Sequence, residues 1–248
     1  MKALAYEADW PAPARVKAWV SVRDGGISRA PYSTLNLGTH VGDEPNAVAE
    51  NRRRLAAEIG LPGEPNWLTQ VHGRRVVDLD KPWSGPADGA VTGTAGVVCA
   101  VLTADCLPVL LADRSGGRVG IAHAGWRGLA AGVLEAAVAA IKTPPAELLA
   151  WFGPAIGQSA YEVGDDVLTS FIQADADAAA AFEPNERGRW QADLYALARM
   201  RLQRLGVTSI HGGGSCTFSE PERFFSHRRE APCGRIASLI WLADEGQS

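Results

Sequence analysis

The sequence has no CxxC pair; its four cysteines stand alone at positions 99, 106, 216 and 233. That excludes a disulfide framework or a cysteine-rich zinc finger, and unpaired thiols fit a reducing compartment. No apolar run reaches membrane-spanning length. Residues 1–13 hold neither an apolar signal region nor a small-residue cleavage site, so a cytoplasmic protein is expected. The net charge is only −4, and the densest basic spots, Arg52-Arg53-Arg54 and Arg228-Arg229, are too short to grip a nucleic-acid backbone. Neither nucleic acid nor membrane is an expected partner. Methionine occurs only at Met1 and Met200, and there are five histidines, few for a protein with several copper centres. HExxH, P-loop, GxGxxG and HxE…PCxxC patterns are missing. His211-Gly212-Gly213-Gly214 lacks a companion GxSxG elbow and reads as a turn.

What is present is ordinary globular material. With 46% hydrophobic and 21% charged residues, 248 residues can bury a core without staples. No repeat or linker divides the chain, so one domain over residues 1–248 is expected. Alternating apolar residues over 15–23 predict a half-buried strand, and 45–59 predict a helix closed by Gly60 and Pro62. Further strands are predicted at 67–71, 75–79, 97–102, 108–112, 118–122, 148–152, 209–211 and 235–242. Helices are predicted at 128–142, 165–174 and 192–205. Several strands follow one another directly, which favours an α+β architecture with mixed sheets over a doubly wound sheet.

Three segments carry chemistry: Thr69-Gln70-Val71-His72-Gly73, Thr103-Ala104-Asp105-Cys106-Leu107-Pro108 and Ala122-His123-Ala124-Gly125-Trp126-Arg127-Gly128. Each sets a histidine or cysteine where a strand is predicted to end, beside small residues that leave room for a ligand. Two imidazoles and a thiolate suit Zn²⁺, and three protein ligands leave a fourth position for water or substrate. Without a fold, the competing reading is a core histidine and a packing cysteine.

The segments STLNL, TQVHG, ADGAVT, TADCLPVLLAD, AHAGWRG, GPAIG, YEVG and FFSHRRE…GRIASLIWL run in order from Ser33 to Leu242. Together they resemble the YfiH-type family. That family was formerly labelled a multicopper polyphenol oxidoreductase or laccase domain. It is now described as purine nucleoside phosphorylase, and it includes the peptidoglycan editing factor. The resemblance implies a layered α/β/β/α sandwich and a zinc ion held by His72, Cys106 and His123.

Around that set lie further candidates. Trp126-Arg127-Gly128 is predicted to open a helix, whose N–H groups and Arg127 would suit an anion; Arg127 solvating the first turn is the alternative. Arg228 and Arg229, on a segment predicted to be extended, should point opposite ways, so one of them is expected to contact an anion. His227 is expected to be structural or to support a ligand, rather than to be a fourth ligand. Asn36 would read an amide or a purine edge, or cap a turn. Gln70 and Asp105, beside the ligands, are expected to orient an imidazole or a bound water.

The resemblance implies phosphorolysis of adenosine, inosine or methylthioadenosine to base and ribose 1-phosphate, with adenosine deamination as a side activity. The substrates would be a nucleoside and phosphate. A second reading is amide cleavage on a nucleotide-linked cell-wall precursor, by activated water or by a Cys106 thiolate. A third is copper-dependent polyphenol oxidation. The preferred nucleoside and the oligomeric state cannot be read from these residues.

Overall fold

The computed structural model describes residues 3–244, so Met1 and Lys2 lie outside the described residues. Two sheets face each other. The first is ordered β1 (Ala5–Glu7), β2 (Val16–Ser21), β14 (Ile236–Leu242), β6 (Cys99–Thr103), β3 (Asn66–Trp67). The second is ordered β13 (Ser209–Gly212), β9 (Leu148–Phe152), β7 (Leu107–Asp113), β8 (Val119–Ala124), β5 (Gly89–Thr92), β4 (Val76–Asp78). Both mix parallel and antiparallel neighbours: β3 joins β6 in parallel while β14 joins β6 antiparallel.

The central strands are apolar on both faces because both faces are covered. Along β14, Ile236, Ile240 and Leu242 enter the layer between the sheets, while Ala237, Leu239 and Trp241 pack outward with Leu55 and Ile59 of α1 (Pro45–Ile59). Along β8, Val119 and Ile121 face inward. Ala122 and Ala124 face the other way, onto α2 (Trp126–Ala131), α3 (Val133–Ile141), α4 (Asp165–Ile172) and α5 (Leu194–Arg204). The result is an α/β/β/α stack, as the resemblance implies.

The predicted α1 has the observed bounds, and Gly60 ends it in the left-handed conformation at φ 62°. The single helix predicted over 128–142 is instead two. Gly132 adopts φ 96°, which breaks the ladder between α2 and α3. The strand predicted at 67–71 stops at Trp67. Unpredicted elements are β1, β5, which is buried at every position, and a small antiparallel sheet of β10 (Glu162–Val163), β12 (Trp190–Ala192) and β11 (Phe182–Pro184). The segment predicted to be extended around Arg228 and Arg229 is one helical turn, α6 (His227–Glu230). Ser226 Oγ caps it by accepting the Arg229 N–H, and Asp105 accepts the Arg228 N–H.

Topology positions the site. Residues 68–75 pass from β3 in the first sheet to β4 in the second. Residues 104–106 pass from β6 to β7, again between sheets, and residues 213–235 return from β13 to β14. These three crossovers carry His72, Cys106 and the Arg228–Arg235 region. No helix among the described residues is long and apolar enough to cross a membrane.

Candidate metal centre

His123 is the next inward-facing position on β8 after Val119 and Ile121, so its ring closes the end of the inter-sheet layer. Cys106 immediately precedes β7, whose Pro108 pairs with His123. His72 arrives from the β3–β4 crossover with φ 58°, and Asp105 beside Cys106 has φ 87°. Among the described residues only Lys142 shares this conformation outside glycine. Left-handed backbone costs a side-chain-bearing residue energy, and here it turns two crossovers so that their side chains converge.

The ligand atoms of His72, Cys106 and His123 all lie within 4.8 Å of one another. Cys106 Sγ is 3.8 Å from His72 Nε2, and the two imidazoles meet edge to face with centroids 4.7 Å apart. Tetrahedral zinc would set an N and an S ligand about 3.5 Å apart, so the set fits with small adjustment. Gly125 makes this approach possible: a Cβ there would sit 2.8 Å from Cys106 Sγ and 3.0 Å from His72 Cδ2.

One carboxylate organises the set. Asp88, fully buried before β5, accepts His123 Nδ1–H at 2.8 Å and the backbone N–H groups of Val71, His72 and Gly73 at 3.2, 2.9 and 2.7 Å. Burial works against its charge, but His123 and those N–H groups outweigh burial and hold the carboxyl below its usual range. With Nδ1 committed to Asp88, His123 turns Nε2 towards the ligand set. Burial likewise opposes ionisation of Cys106, yet the two imidazoles bring its thiol down to about 6. Burial disfavours a charged His123, but Cys106 and Asp88 push its pKa up to about 9.

Neither Gln70 nor Asp105 touches an imidazole. Gln70 pairs its amide with both backbone groups of Leu102, at 2.9 and 2.8 Å, and so extends the first sheet. Asp105 accepts Thr217 Oγ1–H at 2.6 Å and the Arg228 N–H at 2.7 Å, anchoring α6 beside the ligands. Asn36 is fully buried and forms a turn: it accepts the Gly38 and Arg235 N–H groups and donates to Gly38 O and Asp43. Arg127 stacks over Trp126, 4.4 Å from the ring centroid. The two neighbouring arginines do diverge. Arg229 turns inward to the carbonyls of Thr217, Phe218 and Phe224 and to Glu230. Arg228 lies over Tyr161 and lines the cavity above the metal ligands, with His227.

That cavity holds about 380 Å³ and has an apolar wall of Leu102, Ala104, Ile156 and Tyr161. His40 and Arg235, neither of which is among the expected site residues, line it as well.

A family described as multi-copper polyphenol oxidoreductase laccase matches residues 17–243. The chain belongs to this family. Members of known name are close to it. It is 56% identical over 237 residues to a protein of Pseudomonas aeruginosa named purine nucleoside phosphorylase, covering 95% of this chain and 97% of that one. It is 52% identical to purine nucleoside phosphorylase YfiH of Escherichia coli, covering 94% and 96%. Among solved structures, a Neisseria meningitidis protein superimposes with a TM-score of 0.93 at 50% identity, covering 98% of this chain and all of that one. YlmD of Geobacillus stearothermophilus superimposes with a TM-score of 0.90 at 31% identity, with 98% of each chain covered.

Proposed function

We propose that this enzyme is a zinc-dependent purine nucleoside phosphorylase acting on adenosine, inosine or methylthioadenosine. The observation that carries the reading is the open donor set of His72, Cys106 and His123 at the floor of a nucleoside-sized cavity, in a chain whose relatives bear that name. Cavities of about 300–1,000 Å³ accommodate small ligands. A bound zinc would supply Lewis acidity and lower the pKa of a coordinated water.

The chain's own residues would do the rest. Leu102, Ile156 and Tyr161 offer an apolar face to a purine. Arg228, whose Nη1 donates to Glu162 O, stays fixed over Tyr161 and places positive charge at the rim. Asp88 holds the His123 tautomer, and His72 and Cys106 complete the ligand set. Loss of the purine 6-amino group to water would be a side activity of the same cavity. The four free thiols fit a cytoplasmic address.

Zinc is favoured over copper by arithmetic. Among the described residues one group of three His, Cys, Asp or Glu side chains could share an ion, and a multicopper oxidase needs several. Metal analysis of the purified protein, paired with product analysis on adenosine with and without phosphate, tests the reading. Stoichiometric zinc with phosphate-dependent adenine and ribose 1-phosphate is expected; inosine alone would leave only the deaminase. Stoichiometric copper with an intense thiolate-to-copper absorption would sink the zinc assignment.

One observation favours a second reading. Cys106, His123 and Asp88 stand in the order nucleophile, base and orienting carboxylate, with the thiol already acidic. A thiol amidase acting on a cell-wall precursor would use that arrangement. It would survive chelation and die on alkylation of Cys106, whereas the zinc enzyme would lose activity to a chelator and recover with Zn²⁺.

A further inference from the structure

The cavity has a second chemical pole besides the metal ligands. Those ligands are tied to the second sheet: His123 on β8, Cys106 leading into β7, and His72 held by Asp88 before β5. At the end of the first sheet the same cavity is lined by His40, Thr103 and Arg235. Thr103 is the last residue of β6 and pairs across the ladder with Ile236, the neighbour of Arg235.

Arg235 is held by its surroundings. Its stem packs against Gly38, where a Cβ would come within 2.9 Å of Cγ. Its backbone N–H donates to Asn36 Oδ1. Its Nη1 donates to the carbonyls of Cys233 and Gly234 at 2.8 and 3.0 Å. Among the described residues, that leaves Nε and Nη2 without a partner, and no carboxylate lies within ion-pair distance of Arg235 or Arg228. Thr103 is 2% exposed, and its buried hydroxyl also has no partner among the described residues. The one carboxylate in the cavity wall, Asp105, already has both oxygens engaged. Burial and the charges of Arg235 and Arg52 together disfavour a protonated His40. Uncompensated cationic groups and an idle hydroxyl around one cavity make a place that attracts a small oxyanion.

We propose that Arg235 and His40, with the Thr103 hydroxyl, form the subsite for inorganic phosphate. The assignment rests on the phosphorolysis reading above and names the residues that hold its second substrate. A phosphate oxygen forms a bond to ribose C1′ as the C1′–N9 bond breaks. The bonding pair leaves on the purine, which receives the proton that hydrogen phosphate gives up. Arg235 spreads the phosphate's charge and fixes its approach; neutral His40 donates from one ring nitrogen. Placing this anion at the first sheet and the metal at the second would hold the nucleoside between them.

The test uses the zinc-loaded enzyme, with inorganic phosphate as the probe. Phosphate binding is measured by calorimetry, and initial rates are measured with phosphate and adenosine varied separately, for wild type, Arg235→Gln, Arg235→Lys and His40→Gln. Arg235→Gln should raise the phosphate KM and Kd by about tenfold or more, with the adenosine KM within about threefold of wild type. Arg235→Lys should recover part of the loss, and His40→Gln should act in the same direction by a smaller factor. Unchanged phosphate KM and Kd in both Gln variants would overturn the subsite, as would a rise confined to the adenosine KM. If wild type forms no ribose 1-phosphate yet binds phosphate in a manner Arg235→Gln abolishes, the anion site stands and the phosphorylase reading falls. Absence of phosphate binding to wild type overturns the site itself.

Discussion

Asp88 Oδ1 and His123 Nδ1 are 2.8 Å apart, both buried, and the same carboxylate gathers the backbone N–H groups of Val71, His72 and Gly73. One side chain therefore fixes the ring of one candidate ligand and the strained backbone of another. Asp88→Asn keeps the volume but turns an NH₂ group towards donors. The orphaned N–H groups should cost about 1–3 kcal/mol, read as a lowered denaturation midpoint. Metal affinity should fall about 10–100-fold in competition with a chelator. Unchanged affinity would show that the carboxylate only braces the loop.

Removal of a ligand should be more severe than removal of its support. Cys106→Ala and His123→Ala should each strip the metal and lower phosphorolysis by at least about 10²-fold, with the fold retained. Metal content, circular dichroism and turnover with adenosine and phosphate check this. Near-normal turnover in either variant would mean that the site is misassigned.

Proton counting gives a separate check. Without metal, the Cys106 thiol titrates at about 6 and His123 at about 9, so at pH 7 the pair is thiolate and imidazolium. Zinc takes the thiolate without displacing a proton but must displace one from His123. The pair should release about one proton on zinc binding at pH 7. Above the His123 value the release should fall, because the ring has already lost its proton. Below the Cys106 value it should rise towards about two, with affinity falling in step. Zinc titrations in buffers of different ionisation enthalpy measure the release; no proton released at pH 7 would mean that His123 arrives neutral.

Much of the architecture is legible in the sequence because burial on both faces leaves plain runs. The stretches IASLIWL and LLAWF become β14 and β9, and α1 is framed by Pro45 and Gly60. The break at Gly132 is hidden because alanine continues on both sides. α6 is hidden because its first-turn partner, Asp105, lies 123 residues away from Arg228. The site shows the same division. His72, Cys106 and His123 stand in motifs that resemble a family, but Asp88 is joined to His123 only through neighbouring strands β5 and β8. The sole hint is its place within ADGAVT, one of the matching segments. Arg235 has the same kind of hint, its place within GRIASLIWL, while His40 carries no local signal, because the cavity exists only once the two sheets meet.

The adjacent pair Arg228 and Arg229 should separate cleanly on mutation. Arg229 holds three backbone carbonyls and Glu230, and its side chain is 18% exposed. Arg229→Ala should destabilise the protein by about 2–4 kcal/mol in chemical denaturation, through carbonyls left unpaired around α6. Arg228→Ala removes one carbonyl contact and the stacking on Tyr161, so its loss should appear in turnover with little change in stability. The reverse pattern would exchange the two roles.

Gly125 offers the most local test of the convergence itself. It follows β8 and directly precedes α2, and its missing side chain is where Cys106 Sγ and His72 Cδ2 come close. Its φ of −65° is ordinary for any residue, so Gly125→Ala imposes no backbone strain. The added methyl must instead push the thiolate or the imidazole outward, since α2 and β8 are packed in the core and cannot retreat. Metal occupancy should therefore fall while the denaturation midpoint moves by no more than about 1–3 kcal/mol, the usual cost of overpacking. Phosphorolysis should fall in proportion to the metal lost, and excess Zn²⁺ should restore part of it, which separates displaced ligands from a damaged fold. If Gly125→Ala bound zinc as wild type does, His72 and Cys106 could not be meeting across that glycine.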